Sequence, residues 1–177
     1  MSPPKTKKLE AIILNTKPFG EKDRLVEIFS REQGRQKAIA KSAATLKSKL
    51  RGHIEPTSHV EIVLYQGKSL DLITEAQTIT AFPEIRTSWD RLQLAGYFLQ
   101  VIRNVTVEHQ HNPQLFDILQ TALHQANSHP DTAGIKAFFE RELLKAEGVW
   151  DENWEQTGFE TQINSYCERV SNGLHSV

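Results

Sequence analysis

The chain has a single cysteine, Cys167, which excludes an intramolecular disulfide and any cysteine-cluster metal site. A reducing cytoplasm, nucleoid-associated if the partner is DNA, is the compartment this usage fits. No apolar run approaches the length of a membrane span, so no membrane partner is expected. The first eight residues, with Pro3, Pro4 and three lysines, read as a disordered basic lead and not as a signal-peptide core. Aromatic residues make up only 8% of the chain, too few for a surface paved with stacking rings. Also missing are a Gly-rich phosphate loop, a Gly-x-Ser-x-Gly elbow and a His-Glu-x-x-His helix, and with them any recognisable catalytic machinery. The chain therefore reads as no enzyme, with no catalytic residues, no metal and no cofactor. His109 and His111 stand two apart but without matched carboxylates, and they read as surface residues, like His124 and His129. His53 and His59 read as surface or packing residues. Cys167 falls on the apolar stripe of a helix, where packing explains it.

What the chain does have is an uneven distribution of charge. The net charge of −1 conceals fourteen Lys/Arg against nine Asp/Glu up to Phe82, or +5, and seven against thirteen from Pro83 onward, or −6. Opposed halves point to two units with different partners. The most basic stretch is Arg31 to Arg51, with seven Lys/Arg (Arg31, Arg35, Lys37, Lys41, Lys47, Lys49, Arg51) and one acid, Glu32. Its first half alternates like a strand, and its second half, from Ser42 to Leu50, has no strand pattern and no apolar face. From composition alone it is either a solvated hairpin or a basic strand running into a flexible loop that grips a polyanion.

Hydrophobic periodicity divides the chain at the same place as charge. Strands are expected at Leu9–Thr16, Arg24–Arg31, Arg35–Lys41, Ser58–Gln66 and Ser69–Ala76, the last alternating through Leu70, Leu72 and Thr74. Lys17 to Asp23, with Pro18 and Gly20, reads as a turn or loop. Five strands without a long helix between them point to a small barrel, with the OB-fold the natural candidate and an SH3-like barrel the alternative. After Pro83 the period becomes helical. Ser88 is placed as the N-cap of a helix running to about Glu108 with a wide apolar arc from Leu92 to Val105. Asn112-Pro113 opens a second helix, Asp131 caps a third that Gly148 ends, and a fourth runs from about Gly158 to Asn172. The Asp151–Glu155 acidic cluster reads as an exposed loop. The expected class is α+β: a five-stranded OB-fold barrel over residues 1–82 followed by a helical bundle domain over 83–177.

Several ordered segments resemble one family. Glu10-Ala11-Ile12-Ile13-Leu14, Gly20-Glu21-Lys22-Asp23-Arg24-Leu25 and Glu32-Gln33-Gly34-Arg35 resemble the opening of the RecO family of bacterial DNA-repair recombination mediators. The likeness continues through Lys47-Ser48-Lys49-Leu50, Pro56, Glu61-Ile62-Val63-Leu64-Tyr65 and Leu72-Ile73-Thr74-Glu75-Ala76. It extends into the helices at Asn112-Pro113-Gln114-Leu115-Phe116 and Phe139-Glu140-Arg141-Glu142-Leu143-Leu144. The resemblance implies a protein that binds single- and double-stranded DNA, promotes strand annealing and helps load recombinase onto coated single strands, with no chemical step. Its implied partners are RecR and the acidic tail of single-stranded-DNA-binding protein. Carried onto this sequence, the DNA-binding residues are Lys22, Arg24, Arg35, Lys37, Lys41, Lys47, Lys49 and Arg51. Lys47, Lys49 and Arg51 are expected on a mobile loop.

Three features depart from the family's pattern. Many members carry a four-cysteine zinc module, whereas Val149 to Gly158 contain no cysteine, so a short variant without zinc is expected. The loop after Lys41 usually opens with glycine and stays basic, whereas Ser42-Ala43-Ala44-Thr45 is neutral. The helical half is acidic, and Arg86, Arg91, Arg103, Lys136, Arg141 and Lys145 are its only cations before the last helix for an acidic tail. These departures keep two alternatives in view: a protein-interaction adaptor with little DNA binding, or an OB-fold RNA-binding factor.

Overall fold

The computed structural model describes residues 5–150 and 158–172, apart from the side chain of Phe159. The acidic cluster Asp151–Glu155, most of the cysteine-free stretch Val149–Gly158, and Leu174, expected on the apolar stripe of the last helix, lie outside the described residues. The chain forms two compact units. One ends at Ala81 and also takes in Glu108–Asn112; the other comprises Phe82–Val107 and continues from Pro113.

The first unit is a closed five-stranded barrel in the order β1-β2-β3-β5-β4, an OB-fold. Its strands are β1 (Thr6–Phe19), β2 (Asp23–Ser30), β3 (Gly34–Ala40), β4 (His59–Tyr65) and β5 (Asp71–Thr80). β1 pairs with β2 along its second half and with β4 along its first, and a parallel β3–β5 contact at Ala38↔Asp71 and Ile39↔Leu72 completes the ring. Alternation fills the interior: Leu9, Ala11 and Ile13 meet Val26 and Ile28, Ala38 and Ala40, and Val60, Ile62 and Leu64.

Several boundaries differ from the expectation, each for a local reason. β1 begins at Thr6, inside the lead read as disordered, because Thr6 to Lys8 pair with Val63 to Tyr65. It also runs on through Lys17 to Phe19, read as loop, because these residues pair with Asp23 to Leu25; Pro18 is accommodated in that ladder and only residues 20–22 turn. In β5 the inward residues are Ile73 and Ala76, not Leu70, Leu72 and Thr74. A bulge causes the exchange: Val63 faces Glu75 while Leu64 faces Ile73, and the extra Thr74 donates its hydroxyl to the Val63 carbonyl at 3.1 Å. Bulges of this kind, here and between Ile13 and Asn15, add the bend that closure requires.

The second unit is helical: α1 (Pro83–Thr87), α2 (Trp89–Val105), α3 (Pro113–Ser128), α4 (Thr132–Ala146) and α5 (Phe159–Ser171). The expected apolar arc of α2 is buried except for Leu92, and Phe98 packs on Phe139 with ring centroids 4.4 Å apart. Ser88 occupies the N-cap position of α2 without a capping side-chain bond, whereas Asp131 caps α4 by accepting from the Gly134 amide at 3.0 Å. α2 stops at Val105, short of Glu108, and Glu108 serves the barrel unit instead. Gly148, at φ +68°, ends α4 in the left-handed conformation that glycine adopts freely. Glu140, read only as part of a family-like motif, is buried and accepts a 2.5 Å hydrogen bond from the Tyr97 hydroxyl. Burial pushes its carboxyl above the ordinary range, against the pull of Tyr97 and Lys136. Among the described residues, no helix is long and apolar enough to cross a membrane.

Candidate nucleic-acid interface

The eight cations that the family resemblance implies for DNA fall into two groups along β3: Arg35 near its start with Lys37 at its middle, and six others around the turn and the connection beyond its end. At one end, the β1–β2 turn meets the β3–β4 connection. Arg24 lies opposite Ala40 in the β2–β3 ladder, so Lys22, Arg24 and Lys41 converge there. The Ser42 amide donates to the Asp23 carboxylate at 2.8 Å, and the Ala44 amide donates to the Lys22 carbonyl at 2.9 Å. Ala43, between them, is inserted into the barrel core at 1% exposure. The connection is thus fastened at its start.

It is fastened at its finish as well. Leu50 packs against the barrel core, Arg51–His53 form one 3₁₀ turn, and Ile54 is buried. His53 Nδ1 lies 2.7 Å from the Thr78 hydroxyl, and Thr16 donates its hydroxyl to the Ile54 carbonyl at 2.6 Å. Within the loop, the Ser48 amide donates to the Thr45 carbonyl and the Leu50 amide to the Ser48 hydroxyl. The connection expected to be mobile is therefore fastened at both ends, with Lys47, Lys49 and Arg51 on its exposed surface. Within the neutral segment one position has a structural reason to be uncharged: a charged residue at position 43 would have to enter the core. Ser42 takes φ +55°, a backbone region that glycine would occupy without strain.

The other end of β3 is organised differently. Arg35 donates to Glu27 at 2.7 Å, and both side chains are largely buried, at 15% and 8% exposure. Glu108 approaches from the Glu108–Asn112 segment, 3.5 Å from Arg35 and 2.5 Å from Lys37. The segment is fixed by a hydrogen bond from the His109 amide to the Arg35 carbonyl at 2.8 Å. Gly34 admits it: at φ +72°, any Cβ there would lie 1.9 Å from the Gln110 carbonyl oxygen. The Lys37 hydrogen bond chiefly holds the Glu108 carboxyl below the ordinary glutamate range, with the Lys37 and Arg35 charges adding and partial burial opposing. Strand spacing identified Arg35 and Lys37 as outward-facing, but Glu108, far away in sequence, was not foreseen.

Among the described residues, Lys22, Arg24, Lys41, Lys47, Lys49 and Arg51 make no ion pair, so their charges remain available to phosphates. Of the four aromatic residues near this half of the sequence, Phe29 and Phe82 are buried, whereas Phe19 is 43% and Tyr65 37% exposed. Phe19 pairs with Asp23 and so stands at the loop end of the barrel; Tyr65 pairs with Thr6 at the start of β1. In the helical unit a cleft of about 320 Å³ is lined by Asp90, Tyr97, Thr132 and Lys136. Its cation is engaged: Lys136 bonds Glu160 at 2.9 Å and lies 4.7 Å from the centroid of the Tyr97 ring. Arg141 and Lys145 both pair with Glu142, and Arg91 donates to the Asn127 carbonyl. No group of three or more His, Cys, Asp or Glu among the described residues is arranged to hold a metal ion.

Comparison with known proteins agrees with the barrel-plus-helices reading. The family model for the N-terminal part of recombination protein O matches residues 1–82, and that for its C-terminal part matches residues 86–149. The DNA repair protein RecO of Desulforamulus reducens is 34% identical over 117 residues, covering 66% of this chain and 46% of the relative. That of Alkaliphilus metalliredigens is 32% identical over 143 residues, 80% of this chain and 58% of its own. That of Dehalococcoides mccartyi strain 195 is 32% identical over 148 residues, 84% of this chain and 58% of its own. The chain thus spans about half the length of the curated relatives it matches. With both family models matched in order along one barrel and one helical unit, this chain belongs to the RecO family.

Proposed function

We propose that this chain is a non-enzymatic mediator of bacterial recombinational DNA repair, holding DNA by phosphate contacts at the loop end of its OB-fold barrel. The observation that carries the reading is the set of cations there, Lys22, Arg24, Lys41, Lys47, Lys49 and Arg51, without carboxylate partners among the described residues. A polyanion replaces the missing partners and releases its own counterions as it does so. Phe19, half exposed beside the turn, adds one stacking face for an unpaired base. In that role the protein binds single- and double-stranded DNA, promotes annealing of complementary strands and helps recombinase onto coated strands in the cytoplasm, at the nucleoid. RecR and the acidic tail of single-stranded-DNA-binding protein are its partners there. Arg35 and Lys37 contribute to DNA binding less than the loop cations, because Glu27 and Glu108 already occupy them.

A gel-shift salt titration tests the reading directly. Six phosphate contacts give a log–log slope of roughly −5 on duplex DNA and a shallower one on single strands. No shift at low salt, or a slope near zero, would remove DNA from the proposal and leave the adaptor as the better reading. Competition with single-stranded RNA separates the RNA-binding alternative.

A further inference from the structure

Leu46 is the most exposed large apolar side chain among the described residues, 89% accessible. Single exposed leucines are common on protein surfaces. This one is distinguished by its setting. It stands at the crest of the β3–β4 connection, between Ala43, buried in the core, and Leu50, packed against it. The backbone around it is held by the Ser42–Asp23, Ala44–Lys22 and Ser48–Thr45 hydrogen bonds. The crest is therefore presented on a fixed platform and loses little freedom when something binds it. Lys47, Lys49 and Arg51 follow directly, all exposed and without ion pairs among the described residues.

We propose that Leu46 is an intercalating wedge that enters a base step of duplex DNA while Lys47, Lys49 and Arg51 hold the adjoining phosphates. The inference rests on the DNA-grip reading and adds to it the mode of contact and the form of DNA. Chemistry selects the duplex. An aliphatic side chain offers no π-face on which an unpaired base could stack, so it contributes little to holding a single strand. Between two stacked base pairs the same side chain is buried on both sides, opening the step and kinking the helix. Phosphate contacts from the neighbouring cations offset the unstacking and keep the apolar group at the groove. A protein gripping by charge alone would bind DNA without disturbing its stacking.

The test uses the whole chain and short duplexes carrying 2-aminopurine at successive positions, whose fluorescence rises when the base unstacks. The wild-type protein should raise the fluorescence at one step under low-salt conditions where it shifts the duplex fully. Leu46→Ala should lose most of that rise while still shifting the duplex, and Leu46→Phe should keep it. An undiminished rise with Leu46→Ala, or no rise at any position on a duplex that the wild type shifts, overturns the wedge and leaves the DNA grip standing. A wild-type protein that shifts no duplex at low salt overturns both.

Discussion

The basic strand β3 and the basic connection that follows it are alike in sequence and opposite in structure. Arg35 and Lys37 face outward on a rigid strand and are matched by Glu27 and Glu108. Lys47, Lys49 and Arg51 lie on an irregular connection and have no acidic partner among the described residues. Charge density along the chain therefore does not report charge available to a ligand. The strand group holds the Glu108–Asn112 segment to the barrel, whereas the loop group has no carboxylate against it among the described residues. Desolvation sharpens the contrast. The Arg35–Glu27 pair is largely buried and costly to disturb, whereas the loop lysines are exposed and gain little from any internal partner.

Breaking the buried pair should have the largest effect on the protein itself. Arg35→Met leaves Glu27 buried without its cation, with an expected loss of about 3 kcal/mol in urea unfolding. DNA affinity of the folded variant should change little. A strong loss of DNA binding with unchanged stability would reverse the roles assigned to the two groups. Next comes the loop: replacing Lys47, Lys49 and Arg51 together by Gln should weaken duplex binding on the order of 100-fold near 0.1 M salt and flatten the log–log slope by roughly 2 to 3. Stability should stay within about 0.5 kcal/mol, since none of the three is buried.

Gly34→Ala addresses the segment from below. The left-handed φ and the Gln110 carbonyl at 1.9 Å from the new Cβ together should cost about 2 kcal/mol in urea unfolding. If Glu108 is displaced in consequence, Lys37 becomes available and DNA binding should strengthen; an unchanged salt slope would mean that this end never meets DNA. The smallest effect is expected for Glu108→Gln, below about 1 kcal/mol because the Lys37–Glu108 pair is two-fifths exposed. Its pH dependence is the informative part. Glu108 has its folded pKa depressed, so its contribution is fully present above the unfolded glutamate value of roughly 4.3 and disappears as pH falls through the folded value. Stability curves of wild type and variant should differ at neutral pH and converge in acid. A difference that persists in acid would assign the effect to packing and not to charge.

Much of the architecture could be read residue by residue. Val60, Ile62 and Leu64 alternate inward as expected, Asp131 caps its helix, and Gly148 ends it. These follow from rules that act over a few residues: two-residue alternation, helical spacing, and the backbone freedom of glycine. The misses share a different cause. Thr6–Lys8 and Lys17–Phe19 look like a tail and a loop by themselves and become strand only because β4 and β2 supply partners. The inward face of β5 was misassigned because one extra residue, Thr74, shifts the register, and no local pattern marks a bulge. The candidate site shows the same division: all eight cations were identifiable, but not which of them an acid elsewhere in the chain would occupy.

Sequence by itself determined the change from strand to helical periodicity near Pro83, the excess of basic charge in the first half, the scarcity of aromatic residues and the family-like segments. Tertiary structure alone decided how that charge is used. It brought Glu108 against Lys37 across 71 positions and put Ala43 into the core, turning the basic loop into a fixed platform with Leu46 at its crest. The physical reason is that periodicity and composition act between near neighbours. Ion pairing and core insertion depend on distances that only the closed barrel establishes.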